Sequence, residues 1–370
     1  MKNSKKYAAL GMAAAMAFSM AACGGGGGSS SGASSTASSA SSATADAASD
    51  TAAAEVDKSQ SLVIYTNSGS NGRDAWLKER AAKDGYKVEV VSIQGADLAN
   101  RLIAEKNNPQ ADMVFGLNAL EYEKLKKESL LDKWAPAWTD DVDVTLGDGE
   151  YYYPIVIQPL VNIMSADLEN PPTDYTDLVK PEWTDKYTIL NFGGGTGKTL
   201  LSGLLVRYQD PDGEFGVSQE GWDFVKSWIQ NGHMEQDGED KVGNVINNTF
   251  PICEMWGSGV LQEQSERDYT FQIMSPEIGV PYVTEQVAMV TGSKKQALAI
   301  DFANWFGSAA LQEEWMNQFG TIPCSKTAYA NAPETVKAFV DKVHPQEMDW
   351  KFISQYVDQW VEKCELEFLQ

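Results

Sequence analysis

The residues best placed to do chemistry run from 191 to 200, Asn191-Phe192-Gly193-Gly194-Gly195-Thr196-Gly197-Lys198-Thr199-Leu200. Phosphate loops of nucleotide-binding proteins end in the same Gly-Lys-Thr, because their backbone amides cradle phosphate while the lysine reaches it. That pattern requires a glycine five residues before Gly197, and Phe192 stands there, so the spacing excludes a nucleotide loop. The underlying physics survives the exclusion: a glycine-rich turn that opens a helix offers free N–H groups and a dipole to an anion. Gly194, Gly195, Thr196, Gly197, Lys198 and Thr199 are therefore candidate ligand contacts, with Lys198 adding charge or pointing to solvent. The plainer reading of the turn is a strand-to-helix connection.

Other reactive constellations are missing from the chain. It has two histidines, His233 and His344, and neither lies near a serine or cysteine motif. HExxH and CxxC do not occur, and GxSxG occurs only within the Gly/Ser tether at residues 28–32, so no catalytic residue, no metal site and no cofactor is expected. Carboxylate chemistry stays formally open. Cys253, Cys324 and Cys364 follow Cys23, an odd number for an exported protein, and Cys253 with Cys324 is the first disulfide to consider.

Export is written at the start. Lys2, Lys5 and Lys6 precede an uncharged run from Tyr7 to Ala22, and small residues lead to Cys23, which is the layout of a secretory signal too short for a membrane span. Met20-Ala21-Ala22-Cys23 resembles a bacterial lipobox, which implies cleavage after residue 22 and a lipid on the Cys23 thiol; an ordinary signal with a chance cysteine is the alternative. Residues 23–58, nearly all Gly, Ser, Ala and Thr at first, have too little apolar bulk to fold and read as a tether. The formal charge of −23 argues against nucleic acid or an anionic membrane surface as partner.

The elements that must position the glycine-rich turn begin at Ser61. Leu62-Val63-Ile64-Tyr65 predicts a buried strand ending at Asn67-Ser68-Gly69-Ser70, and apolar spacing then predicts a helix to Gly85. Strand, helix, strand and helix follow over 87–93, 96–106, 112–115 and 117–128, an alternation that implies parallel strands with helical crossovers. Residues 151–168, apolar and β-rich with Pro154 and Pro159, read as a crossing to a second lobe. There a strand is expected at 187–190, helices at 198–209 and 220–230, and a strand at 248–255; after a return near Pro281, a strand at 287–291 precedes helices at 296–306, 311–319, 332–343 and 349–368.

In that order the pieces resemble the substrate-binding proteins of bacterial ABC importers. LVIYTNSGS, PPTDYTDLVKPEWTDKYTILNF, IGVPYVTEQVAMVTGSKKQALAIDFANWF and LQEEWMNQFGTIPCSKTA carry the resemblance, which spans about residues 61 to 345. The branch it most resembles holds ferric-ion, phosphonate, sugar-phosphate and thiamine binders. The resemblance implies an α/β type II periplasmic-binding-protein fold, with two lobes joined by a two-stranded hinge around a ligand cleft. Residues 59–158 and 286–370 would form the first lobe with the C-terminal helices, and 159–285 the second. It further implies a small-molecule ligand, a permease partner, a monomer anchored on the outer face of the membrane, and no chemistry on the ligand.

Ligands in open α/β sheets sit beyond the carboxyl ends of strands. The candidate contacts are therefore Asn67, Ser68, Gly69, Ser70 and Asn118 in the first lobe and the turn at 194–199 in the second. Trp256 could enclose a ligand or pack between elements. Tyr282 and Glu285 fall where the family's return segment borders the cleft, and Glu285 would suit a ligand amine. The expected ligand is a small anion such as a phosphonate or sugar phosphate. Ferric ion is the alternative, disfavoured because Met255-Trp256 stands where the ferric relatives carry adjacent tyrosines, and because Tyr151-Tyr152-Tyr153 lies before the crossing. A secreted enzyme or a sensor lipoprotein on the same fold completes the alternatives.

Overall fold

In the computed structural model, residues 56–236 and 238–369 are described. The proposed signal, Cys23 and most of the tether lie outside them.

The first half of the chain alternates as expected. Strand β1 (Ser61–Thr66) leads to α1 (Arg73–Lys83), β2 (Lys87–Ser92) to α2 (Gly95–Ala104), and β3 (Met113–Phe115) to α3 (Ala119–Lys127). β1 pairs in parallel with both β2 and β3. After the short β4 (Leu131–Asp132) comes β5 (Tyr152–Met164), a single strand through both prolines. The second half contains β6 (Tyr187–Ile189), α4 (Gly195–Leu205), β7 (Gln209–Glu214), α5 (Gln219–Asn231), β8 (His233–Met234), α6 (Lys241–Ile246), β9 (Ile252–Trp256), α7 (Gly257–Arg267) and β10 (Gln272–Ile273). β11 (Tyr282–Val290) returns, followed by α8 (Gln296–Phe306), α9 (Ala309–Phe319), β12 (Ile322–Pro323), α10 (Lys326–Ala330), α11 (Glu334–Val340) and α12 (Trp350–Lys363).

The principal strand order is β2-β1-β3-β11-β5-β9-β6-β8. β5 and β11 make the crossing. Residues 152–159 of β5 pair antiparallel with β11, whereas Leu160–Met164 pair with β9. A proline cannot donate to a ladder, and Pro159 stands where β5 exchanges one partner for the other, so its missing N–H falls at the switch. The register also slips between Glu285 and Gln286, leaving Ile155 of β5 as the extra residue, a bulge that bends the hinge beside Glu285.

The last helices pack elsewhere than expected. The C-terminal helices were assigned to the first lobe, but Ile353, Val357, Trp360 and Val361 of α12 share one core with Leu200, Leu204 and Leu205 of α4 and with Trp222 and Val225 of α5. Val336 and Phe339 of α11 likewise pack with Val161, Val242 and Val260. The reason lies in α4, where eight of eleven residues are buried; a helix apolar on all sides needs cover on both faces, and α12 supplies the second. Cys253, Cys324 and Cys364, whose pairing the sequence left open, are all free. Cys253 lies in a core with Val161 and Met255, and Cys324 lies in another with Val156 and Phe306.

Candidate functional site

The first side of the candidate site is built at the carboxyl ends of β1 and β3. Gly116 N donates to Gln286 O, Gln286 N donates to Leu117 O, and the Tyr122 hydroxyl donates to Gln286 O at 2.8 Å. These bonds lash the loop after β3 to the hinge strand β11. Asn118 follows as the N-cap of α3, its side chain accepting from Glu121 N. Gly116 has φ +102°, and a Cβ there would lie 2.5 Å from both Asn67 Oδ1 and Ser68 Oγ. Only glycine lets the loops after β1 and β3 touch in this way. Asn67 and Ser70 are exposed, Ser68 is half-buried and Gly69 is buried.

The second side is the turn that opens α4. Gly194 is its N-cap, so the first-turn amides of Gly195, Thr196 and Gly197 have no acceptor within the helix. A Cβ on Gly197 would lie 2.3 Å from Asn191 O, so this glycine lets the turn fold onto itself rather than approach a ligand. A Cβ on Gly195 would lie 3.6 Å from Asn118 Nδ2. The N-termini of α3 and α4 thus meet at this contact, and a helix N-terminus favours an anion.

Several candidates are otherwise employed. Thr199 is fully buried and its hydroxyl donates to Gly195 O, while Thr196 is only half-buried. Lys198 pairs with Asp358 at 3.7 Å, and its charge opposes the burial that raises the Glu121 carboxyl above its usual range. The Tyr282 hydroxyl donates to Val343 O, and burial pushes it up to about 12. The hydroxyl protons of Tyr282 and Thr199 are thus already given to backbone carbonyls. Trp256 is half-buried at the margin of the second core, with Lys241 Nζ 5.6 Å from its ring centre. The hydroxyls of Tyr152 and Tyr153 are engaged by Glu123, Trp134 O and Gly149 O, which leaves that cluster inside the first half's packing.

Glu285 lies at the centre of a network not visible in sequence. It accepts from Ser68 Oγ at 2.8 Å and from Gln158 Nε2 at 2.9 Å. Gln158 Oε1 accepts from Ser258 N, and Ser258 Oγ accepts from Arg73 Nη2 at 3.1 Å. Arg73, at the first position of α1, is 5% exposed and was not singled out by any motif. Burial raises the Glu285 carboxyl above its usual range, against hydrogen bonds from Gln158 and Ser68 and the charge of Arg73. Burial likewise lowers the Arg73 guanidinium, against the charge of Glu285. A second missed residue, Glu254 on β9, accepts from Leu190 N, while its other carboxylate oxygen is buried without a partner. Burial pushes it up to about 8.

Residues 75–342 match the family of bacterial extracellular solute-binding proteins. The chain belongs to that family. A probable ABC transporter periplasmic-binding protein, y4fP of Sinorhizobium fredii (strain NBRC 101917 / NGR234), is 33% identical over 323 residues, 86% of this chain and 89% of that protein. Among solved structures, iron-bound HitA from Pseudomonas aeruginosa superposes with a TM-score of 0.70 at 16% identity, over 83% of this chain and 99% of that one. AfuA from Actinobacillus pleuropneumoniae, with fructose-6-phosphate bound, gives 0.70 at 17% identity over 84% and 99%. The solute-binding protein thus has the two-lobed type II fold, serves an ABC transporter from the periplasmic or extracellular side, and has a small-molecule ligand and a permease as partners.

Proposed function

We propose that this solute-binding protein captures a small phosphorus-containing anion, a phosphonate or sugar phosphate, between the N-termini of α3 and α4 and delivers it unchanged to its permease. The observation that supports the reading is the close approach of Gly195 to Asn118, beside first-turn amides of α4 that have no acceptor within the helix. Asn67 and Ser68 would extend the seat along the first lobe, and Trp256 would close its margin. The acidity of the whole chain does not oppose this, since net charge is screened over about 8 Å in physiological salt while the amides act at contact distance. Residues 59–158 and 286 to about 330 would form one lobe, and 159–285 with α11 and α12 the other. Cys23 would carry the lipid that holds a monomer at the membrane.

Melting curves of the purified protein with inorganic phosphate, methylphosphonate, hexose phosphates and ferric citrate test the reading. A ligand at 100 times its dissociation constant stabilises by about 2.7 kcal/mol. Stabilisation by phosphorus anions supports it; stabilisation by Fe(III) alone, with a coloured charge-transfer band, replaces it with ferric-ion capture.

A further inference from the structure

The network around Arg73 and Glu285 adjoins the anion seat. Ser68 bonds Glu285 on one side and faces Gly116, two residues before Asn118, on the other. Arg73 is nearly buried, yet its one hydrogen bond among the described residues is to the neutral Ser258 hydroxyl. Among the described residues no carboxylate closes an ion pair with it, and the ring centre of Phe319 lies 5.2 Å from its guanidinium carbon. A guanidinium carries five N–H donors, and no nitrogen of Arg73 is both fully buried and unpartnered, so its remaining donors reach accessible space where a ligand can take them.

We propose that Arg73 and Glu285 form a charge-compensated recognition end of the cleft that takes a neutral, hydroxyl-bearing group, so that the ligand is a phosphate ester of a sugar or other polyol. This rests on the anion seat at α3 and α4. A hydroxyl both donates and accepts, and this end supplies both functions: Glu285 accepts, Arg73 and Gln158 donate, and Ser68 does either. An ammonium is less well served. Glu285 already faces the positive charge of Arg73, so an aminophosphonate would bring a second cation to a carboxylate whose charge is offset. A site that must hydrogen-bond a hydroxyl also rejects analogues without one, because its own buried groups are then left unpaired.

Isothermal titration of the purified protein with inorganic phosphate, glucose 6-phosphate, glycerol 3-phosphate and 2-aminoethylphosphonate tests this, repeated with Arg73→Met and Glu285→Gln. Because hydrogen bonds to charged groups are the strong ones, a hydroxylated phosphate should bind at least about tenfold tighter than inorganic phosphate, and 2-aminoethylphosphonate should not. In either variant the ratio of the two affinities should collapse towards one, and melting curves identify a variant that has failed to fold; the wild-type ranking decides the matter even then. Tighter binding of 2-aminoethylphosphonate, or variants that keep the ratio, overturns the proposal. If inorganic phosphate and its esters bind alike, this inference falls and the anion seat stands; if no phosphorus anion binds, both fall.

Discussion

Asn118 at the start of α3 and Gly195 at the start of α4 face each other so closely that a Cβ on Gly195 would lie 3.6 Å from Asn118 Nδ2. That spacing is ordinary contact for a methyl group but not for a larger side chain. Gly195→Leu should therefore fold normally, since Gly195 is half-buried at a helix start, yet weaken hexose phosphate by more than about tenfold by filling the seat. Unchanged affinity in a calorimetric titration would remove the seat from this position.

The two threonines of the turn should behave differently. Thr196→Val removes a hydroxyl from the seat and should weaken the anion about tenfold. Thr199→Val removes a hydroxyl already given to Gly195 O and should leave affinity within about twofold. Equal losses in both variants would show that the turn binds otherwise than its hydrogen bonds imply.

Trp360 is fully buried between α12 and the α4–α5 layer, and its indole N–H donates to Phe215 O. Trp360→Ala should cost about 3–5 kcal/mol in urea unfolding. A loss under about 1 kcal/mol would mean that α12 is an appendage rather than part of the second core.

Glu254 makes stability depend on pH in a definite sense. Burial pushes its carboxyl up to about 8 in the fold, from 4.5 for the free group, so the folded state holds a proton that the unfolded chain releases. Its contribution to stability is present below about pH 4.5 and is lost as pH rises to about 8. Glu254→Gln should keep the bond from Leu190 N and raise the melting temperature more at pH 8 than at pH 5. The same gain at both values would show that Glu254 is ionised in the fold.

The thiols offer a simple check of the packing. Burial pushes Cys253 and Cys364 up to about 12 and raises Cys324 as well. A thiol reagent should modify them only after denaturation, and reducing agent should leave the melting curve unchanged; a drop in melting temperature on reduction would indicate a disulfide.

Most of the scaffold was legible because its signals are local. The run LVIY, the helical spacing that follows it and the glycine-rich turn each report on neighbours in sequence; β1, α1 and α5 appear close to their expected limits, while α4 starts three residues earlier and ends four earlier than expected. What escaped depends on partners far along the chain. α12 reads as a generic amphipathic helix, and nothing in its stripe says which layer it will cover. The helix α7 was not anticipated, since it opens on Gly257 and Gly259, two poor helix formers. Arg73 looked like one charge among many in RDAWLKERAAK, and its burial comes from Ser258, 185 residues away. Glu285 was expected at the cleft from family resemblance, but its bonds to Ser68 and Gln158 follow from a hinge register that no motif encodes.

The most direct test of anion capture between α3 and α4 is a calorimetric titration of the purified protein with glucose 6-phosphate, in physiological salt and in the presence of a metal chelator. One saturable site, displaced by inorganic phosphate and weakened by Thr196→Val, is the predicted result. No heat from this ligand or from inorganic phosphate or methylphosphonate, with coloured binding of Fe(III) once the chelator is removed, would contradict it.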